Sequence, residues 1–167
     1  RIRSPKDAEI YIVTESIFSM DGDSPDLKSF AQFCIENQYH LVVDEAHAIG
    51  VVGKNGTGLV QELELENQIF ARIITFGKAL GCHGAAILGV KSLNDYVINF
   101  ARSFIYTTAL PPHSIASIIS AFEFLNSVNG KQRRIELGKN IDLFKGQIKK
   151  NNLSNKFLPS DSAIHCC

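Results

Sequence analysis

The sequence lacks the features that would place it in several common classes of protein. It has no excess of charge of either sign, because Lys and Arg total 17 and Asp and Glu total 17 among its 167 residues. A balanced chain has no bulk attraction for nucleic acid or anionic lipid. No apolar run approaches the roughly 18–20 residues of a membrane span, and the charged opening RIRSPKDAE is unlike a signal peptide. With a hydrophobic content of 45%, these absences predict a cytoplasmic α/β domain.

The sequence is also poor in cysteine pairs with useful spacing. None of Cys34, Cys82, Cys166 and Cys167 forms a C-x-x-C motif, and neighbouring cysteines rarely form an unstrained disulfide. We therefore expect reduced thiols in a cytosolic protein. A metal site made by His165 with the terminal cysteines is not expected, because tetrahedral sites usually need spaced ligands.

A phosphate-binding loop is missing as well. VVDEAH matches the acidic motif of DEAH-type ATPases, in which an Asp after a buried strand holds Mg²⁺. Such enzymes also need G-x-x-x-x-G-K-[ST]. Here Gly53-Lys54 is followed by Asn55, and Ala48 stands where the first glycine should be. The ATPase alternative survives only if that loop lies outside this chain.

The sequence contains only a partial match to the S-x-x-K motif of penicillin-binding enzymes. Thr75-x-x-Lys78 replaces the serine with threonine, and the S-D-N and K-T-G partners are missing. This alternative is therefore weak.

Strand patterns alternate with helical patterns along most of the chain. Apolar and β-branched runs predict strands at 9–15, 40–46, 70–77 and 84–90. A further strand or extended segment is predicted at 104–112, which ends in two prolines. Apolar residues at helical spacing predict helices at 24–38, 92–103, 113–128 and 131–150. This alternation predicts an α/β fold with a mainly parallel sheet.

Polar side chains gather where the predicted strands end. In parallel sheets the chemistry collects at the carboxyl ends of the strands. The residues in these positions are Ser16, Ser19, Asp44, His47, Thr75, Lys78, Thr107 and Thr108.

Lys78 is the residue whose role most needs a decision. Taken alone it would be a surface lysine, and Asp44 with His47 would be a local capping pair. Taken together, a carboxylate, an imidazole and an amine follow neighbouring strands, with glycines at 77 and 81 beside the lysine. Pyridoxal phosphate needs an amine for its aldehyde, a carboxylate for its pyridine nitrogen, and hydroxyls for its phosphate. The pattern therefore favours a pyridoxal-phosphate site.

Four ordered motifs make a more specific resemblance. FSMDGD, VDEAHAIGVVGKNGTG, TFGKALGCHGAAILG and FARSFIYTTALPP resemble successive motifs of the α-oxoamine synthases. These are pyridoxal-phosphate enzymes of fold type I. The resemblance implies a three-layer large domain like that of aspartate aminotransferase, and a homodimer with shared active sites. It also implies condensation of an amino acid with an acyl thioester, with loss of CO₂.

The resemblance assigns a role to each matching residue. Lys78 matches the lysine that binds the cofactor, Asp44 the partner of the pyridine nitrogen, and His47 the contact of the phenolic oxygen. Ser19 matches a cofactor-contacting serine, and Thr75 a hydroxyl on the phosphate side. Thr107 and Thr108 resemble the threonines that reach the phosphate of the neighbouring subunit. No metal is implied.

The resemblance also implies a longer protein. Residues 1–155 would be the central part of the cofactor-binding domain, and 156–167 the start of a C-terminal domain. The family's glycine-rich phosphate loop and carboxylate-binding arginine find no match here, so an isolated fragment should be inactive. The motifs around Lys78 most resemble the branch that acts in biotin biosynthesis on L-alanine and a pimeloyl thioester. Other branches, or an inert partner subunit, remain alternatives, although inert subunits usually lose the lysine.

Overall fold

The computed structural model describes residues 8–167 as an α/β unit built on one four-stranded sheet. The strands, in sheet order, are β1 (Tyr11–Glu15), β2 (His40–Asp44), β3 (Ala71–Thr75) and β4 (Ala85–Gly89). β2 runs parallel to β1 and β3, and only β4 is antiparallel to its neighbour. The predicted α/β fold with a mainly parallel sheet is therefore confirmed. Residues 1–7, which open the predicted domain 1–155, lie outside the described residues.

The direction of β4 follows from the length of its connection to β3. A parallel return needs a crossover of about a dozen residues or more, and residues 76–84 are too few. The chain instead closes as a hairpin, in which Phe76 N donates to Gly84 O at 2.9 Å and Cys82 N donates to Phe76 O at 2.7 Å. Lys78 lies in this hairpin loop.

One side of the sheet is covered by α1 (Leu27–Asn37) and the short α2 (Leu59–Glu62). Asp26 caps α1, because its carboxylate accepts the Ser29 amide at 3.1 Å. The buried residues of this core are Leu27, Ala31, Cys34, Leu41, Val43, Val60 and Leu65. Helical spacing in α1 and strand alternation in β2 bring these apolar side chains to one layer.

A second core forms where the hairpin meets α5 (Pro112–Asn126). Its buried members are Ile49, Ile74, Phe76, Leu80 and Leu125. Pro112 stands at the start of α5, where its missing amide costs nothing. α6 (Val128–Lys150) follows directly after Ser127, whose hydroxyl accepts Gly130 N at 3.1 Å. Both closing helices agree with the sequence prediction.

The predicted strand or extended segment at 104–112 is wrong at its beginning. The chain leaves α3 (Lys91–Phe100) and forms the short α4 (Arg102–Ile105). Ala101 O accepts both the Phe104 and the Ile105 amides at 2.9 Å, which closes a helical turn. Aromatic and β-branched residues favour strands only where a neighbouring strand packs against them. Thr107 and Thr108 therefore follow a helical turn and not a strand end.

The last described segment folds back over the loop that follows β1. After the 3₁₀ turn Ser154–Lys156, Ser160 Oγ donates to Gly22 O at 2.8 Å. Gly22 has a φ of +74°, and a Cβ there would lie 2.2 Å from Ile164 O, so only glycine fits. The proposed division between 1–155 and 156–167 stays a prediction. Within residues 8–167, no helix is long and apolar enough to cross a membrane.

Candidate active site

Three polar side chains form a row on one face of the sheet, at the carboxyl ends of β1, β2 and β3. Glu15 is the register partner of Asp44, and Asp44 is the partner of Ile73. Thr75 lies two residues after Ile73, and side chains two residues apart in a strand share a face. Parallel pairing thus brings a carboxylate, a second carboxylate and a hydroxyl to one edge.

Asp44 ends β2 and is half-buried. Its Oδ1 accepts the Ala46 amide at 2.8 Å, which turns the chain out of the strand. Glu45 O then accepts the amides of Ala48 at 3.0 Å and Ile49 at 2.9 Å. This compact turn carries His47 immediately beside the strand end.

His47 is half-buried, and several charges act on its imidazole. Burial lowers the pKa of His47 first, and the positive charge of Lys78 lowers it further. Glu15 and Asp44 oppose this by raising the pKa of His47, but the net direction is downward. The ring is therefore neutral at pH 7 and offers one donor and one acceptor nitrogen.

Lys78 is exposed in the hairpin loop between β3 and β4. Gly81, with a φ of +63°, closes the turn by donating its amide to Lys78 O at 3.0 Å. Lys78 makes no salt bridge with any carboxylate of residues 8–167. Its positive charge acts on His47.

Gly50 holds the His47 loop against the Lys78 loop. It is buried with a φ of +82°, and a Cβ there would lie 2.8 Å from the Cβ of Ala79. Carbon atoms normally meet at about 3.5–4.0 Å, so a side chain at position 50 would push the two loops apart. The close approach brings the lysine to the strand end where Asp44 and His47 lie.

Two hydroxyls at this edge are buried and lack a partner among the described residues. They are Ser16 Oγ and Thr75 Oγ1. An unpaired buried polar group costs about 1–3 kcal/mol. Thr75 Oγ1 is thus an available donor, three residues before Lys78 and on the face of Asp44.

Ser19 is exposed in the loop after β1, where its amide donates to Glu15 Oε2 at 3.0 Å. Thr107 and Thr108 are exposed beyond α4. No hydrogen bond in the described part of the chain joins these threonines to Asp44, His47 or Lys78. The fold thus brings together Asp44, His47, Thr75 and Lys78, with Ser19 held near them through Glu15.

Sequence reasoning missed two acids that organise this edge. Glu15 holds Ser19 and acts on His47, and its only signal was its position at the end of a predicted strand. Glu45 is fully buried and pairs with Arg72 across the sheet. Nothing in the local pattern of VVDEAH indicates this pairing, because Arg72 lies 27 residues further along the chain.

Metal-ligating side chains do not cluster in the described region. Residues 8–167 contain no group of three or more His, Cys, Asp or Glu side chains that could hold a metal ion. The candidate site therefore offers an amine, an imidazole, carboxylates and hydroxyls.

Comparison with known proteins gives consistent matches over nearly all of the chain. The family described as "Aminotransferase class I and II" matches residues 1–167. An 8-amino-7-oxononanoate synthase from Emericella nidulans is 45% identical over 152 residues, which cover 88% of this chain and 36% of the relative.

Solved structures of enzymes also match nearly all of this chain. An 8-amino-7-oxononanoate synthase from Francisella tularensis is 33% identical with a TM-score of 0.77, covering 95% of this chain and 45% of that one. A variant of the serine palmitoyltransferase from S. paucimobilis, solved with a bound PLP–myriocin aldimine, is 29% identical with a TM-score of 0.80. That match covers 89% of this chain and 38% of the other. The chain thus spans less than half the length of these relatives.

Proposed function

The chain belongs to the aminotransferase class I and II family, within its α-oxoamine synthases, and we propose that it forms part of a pyridoxal-phosphate-dependent acyltransferase of biotin biosynthesis. The intact enzyme condenses L-alanine with pimeloyl-CoA or a pimeloyl carrier protein. The products are 8-amino-7-oxononanoate, CO₂ and the free thiol. The observation that carries this proposal is the meeting of Lys78, Asp44 and His47 at one sheet edge.

The residues at this edge suit pyridoxal phosphate. Thr75 Oγ1 is a buried donor with no partner among residues 8–167, and a phosphate oxygen would satisfy it. Lys78 offers an amine without a salt bridge to the described residues, and Asp44 a carboxylate that would hold a protonated ring nitrogen. When bound, the cofactor supplies an electron sink for negative charge at the substrate Cα.

Proton movement falls to Lys78. Lys78 would hold the cofactor through its aldehyde, and its ε-amine, when free, would accept the Cα proton of alanine and return a proton to the product. His47 is neutral, because burial and Lys78 lower the pKa of its imidazole. It therefore orients by hydrogen bonding without adding a positive charge beside the lysine.

The proposal also includes predicted residues that lie outside the sheet edge of Asp44 and Thr75. Ser19 would contact the cofactor from a loop that Glu15 holds by accepting the Ser19 amide. Thr107 and Thr108 are exposed, which suits donors that serve the site of a second subunit in a homodimer. All four cysteines are free, which supports a reducing, cytoplasmic location.

The test is covalent labelling in the intact protein. With pyridoxal phosphate added, we expect the absorption band of a lysine-linked cofactor, and borohydride reduction should leave a pyridoxyl group on the peptide that contains Lys78. Lys78→Ala should abolish both signals. Lys28→Ala, which removes an exposed lysine of α1, should keep them. A band that survives in Lys78→Ala would refute the assignment of the lysine.

A second candidate comes from the structural match to serine palmitoyltransferase, with its TM-score of 0.80. In that case the intact protein would take serine and a long-chain acyl thioester. Steady-state kinetics with alanine, glycine and serine, each against pimeloyl-CoA, acetyl-CoA and palmitoyl-CoA, separates the branches. The highest kcat/KM for alanine with pimeloyl-CoA supports the first proposal, and one for serine with palmitoyl-CoA supports the second.

A further inference from the structure

The two adjacent acids of VVDEAH lie on opposite faces of the sheet. Asp44 belongs to the face of the candidate site, whereas Glu45 is fully buried on the other face, towards the core of α1 and α2. Glu45 Oε2 accepts Arg72 Nε at 2.7 Å and also pairs with the Arg72 Nη2. Glu45 Oε1 accepts the Val60 amide at 2.9 Å.

These contacts tie the two ends of one loop together. Residues 46–58 form the glycine-rich loop that carries His47, and Glu45 precedes it. Arg72 Nη2 donates to Thr57 O at 2.7 Å, so the same ion pair also holds the far end of the loop. Gly58 has a φ of +100°, and a Cβ there would lie 2.6 Å from Glu45 Oε2. The loop thus closes around the carboxylate with no space left.

We propose that the buried Glu45–Arg72 pair is a positioning device for the active site, which fixes His47 and Asp44 from the opposite face of the sheet. Among the described residues, the Glu45 carboxylate hydrogen-bonds to Arg72 and the Val60 amide and not to Asp44, His47 or Lys78. It acts through the backbone, since Glu45 O accepts the amides that form the His47 turn and Glu45 N donates to Ile73 O at 2.8 Å. A catalytic consequence rests on the proposed function, whereas the effect on the loop does not.

The first experiment measures amide hydrogen exchange in the intact protein without added cofactor. Glu45→Gln keeps the shape of the side chain but leaves the Arg72 charge buried and unpaired. Exchange in peptides covering 46–60 should become at least about tenfold faster, while peptides from α6 stay unchanged. Lys91→Met breaks an exposed ion pair with Asp95 on α3 and should alter neither region.

The second experiment separates positioning from stability. In Glu45→Gln/Arg72→Met this pair no longer buries a charge, and the amide oxygen introduced at position 45 can still accept the Val60 amide, so Tm should lie within about 2 °C of wild type. The tie to Thr57 is still absent, so exchange in 46–60 should stay fast. The Kd for pyridoxal phosphate should be about tenfold higher than that of wild type, which corresponds to a loss of about 1.4 kcal/mol of binding free energy.

Two results would overturn the inference. One is unchanged exchange in Glu45→Gln. The other is a double variant that recovers Tm, loop protection and cofactor affinity together, because the pair would then contribute only stability. If Glu45→Gln does not fold, the double variant decides alone by the same criteria. If the wild-type protein binds no pyridoxal phosphate, the proposed function fails. The exchange result then still tests whether the Glu45–Arg72 pair holds the loop 46–58.

Discussion

Replacing Gly50 with alanine tests whether the site depends on the close contact between its two loops. The new Cβ would meet the Ala79 Cβ at 2.8 Å, about 1 Å inside normal carbon contact. Overpacking of a buried position costs about 1–3 kcal/mol. The φ of +82° adds a backbone cost of about 1–2 kcal/mol for a residue with a side chain. The free energy of unfolding should therefore fall by about 2–5 kcal/mol.

The assay is thermal unfolding of the intact protein together with titration of pyridoxal phosphate. At about 2–4 °C per kcal/mol for a domain of this size, Tm should fall by about 4–20 °C. Cofactor affinity should weaken as well, because the His47 loop and the Lys78 loop are forced apart. Gly146→Ala is the matched control. Its Cβ meets nothing within 4 Å on α6, and alanine should stabilise that helix by about 0.5–1 kcal/mol.

A double variant isolates the contact from the backbone cost. Ala79→Gly in the Gly50→Ala background removes the clashing methyl group, so it should recover the overpacking share of about 1–3 kcal/mol and leave the φ share. A Tm for Gly50→Ala that is indistinguishable from that of wild type would refute the steric reasoning. So would a double variant without any recovery.

Two further predictions concern single side chains at the same edge. Thr75→Val removes a buried hydroxyl that has no hydrogen-bond partner in the described part of the chain. Tm without cofactor should therefore hold or rise slightly, while the Kd for pyridoxal phosphate rises about tenfold. An unchanged Kd would contradict the phosphate role. Burial lowers the pKa of His47, so the unfolded chain binds a proton at this residue more readily than the folded protein does. The contribution of His47 to stability is therefore present above about pH 6.5 and is lost as pH falls through the folded pKa. The decrease in Tm on acidification should therefore be smaller in His47→Gln, and an identical decrease would contradict the assigned direction.

The sequence was sufficient for the parts of the site that depend on strand ends. Asp44, Thr75 and their neighbours were predicted at one edge because a parallel sheet aligns the carboxyl ends of its strands. The structure agrees, since Glu15, Asp44 and Ile73 are in register. Lys78 followed from the same reasoning, although it lies in a hairpin and not at the start of a crossover helix.

The sequence was insufficient where the structure depends on distant partners. FIYTT has strand propensity, yet Phe104 and Ile105 are helical because the turn closes on Ala101 O. The tight contact of Gly50 with Ala79 joins two loops that are not adjacent along the chain. Local patterns report the period of an element, but they do not report what lies against it.

The different roles of Asp44 and Glu45 in VVDEAH follow from the alternation of side chains along a strand. Consecutive side chains at its end must point to opposite faces, so two adjacent acids cannot both serve the same site. Asp44 is half-buried on the face that holds Thr75, while Glu45 is fully buried and compensated by Arg72 and the Val60 amide. A buried carboxylate is tolerated only with such compensation, and here the compensating groups are the ones that close the loop of His47. The requirement to neutralise Glu45 therefore connects the core on one face to the geometry of the site on the other.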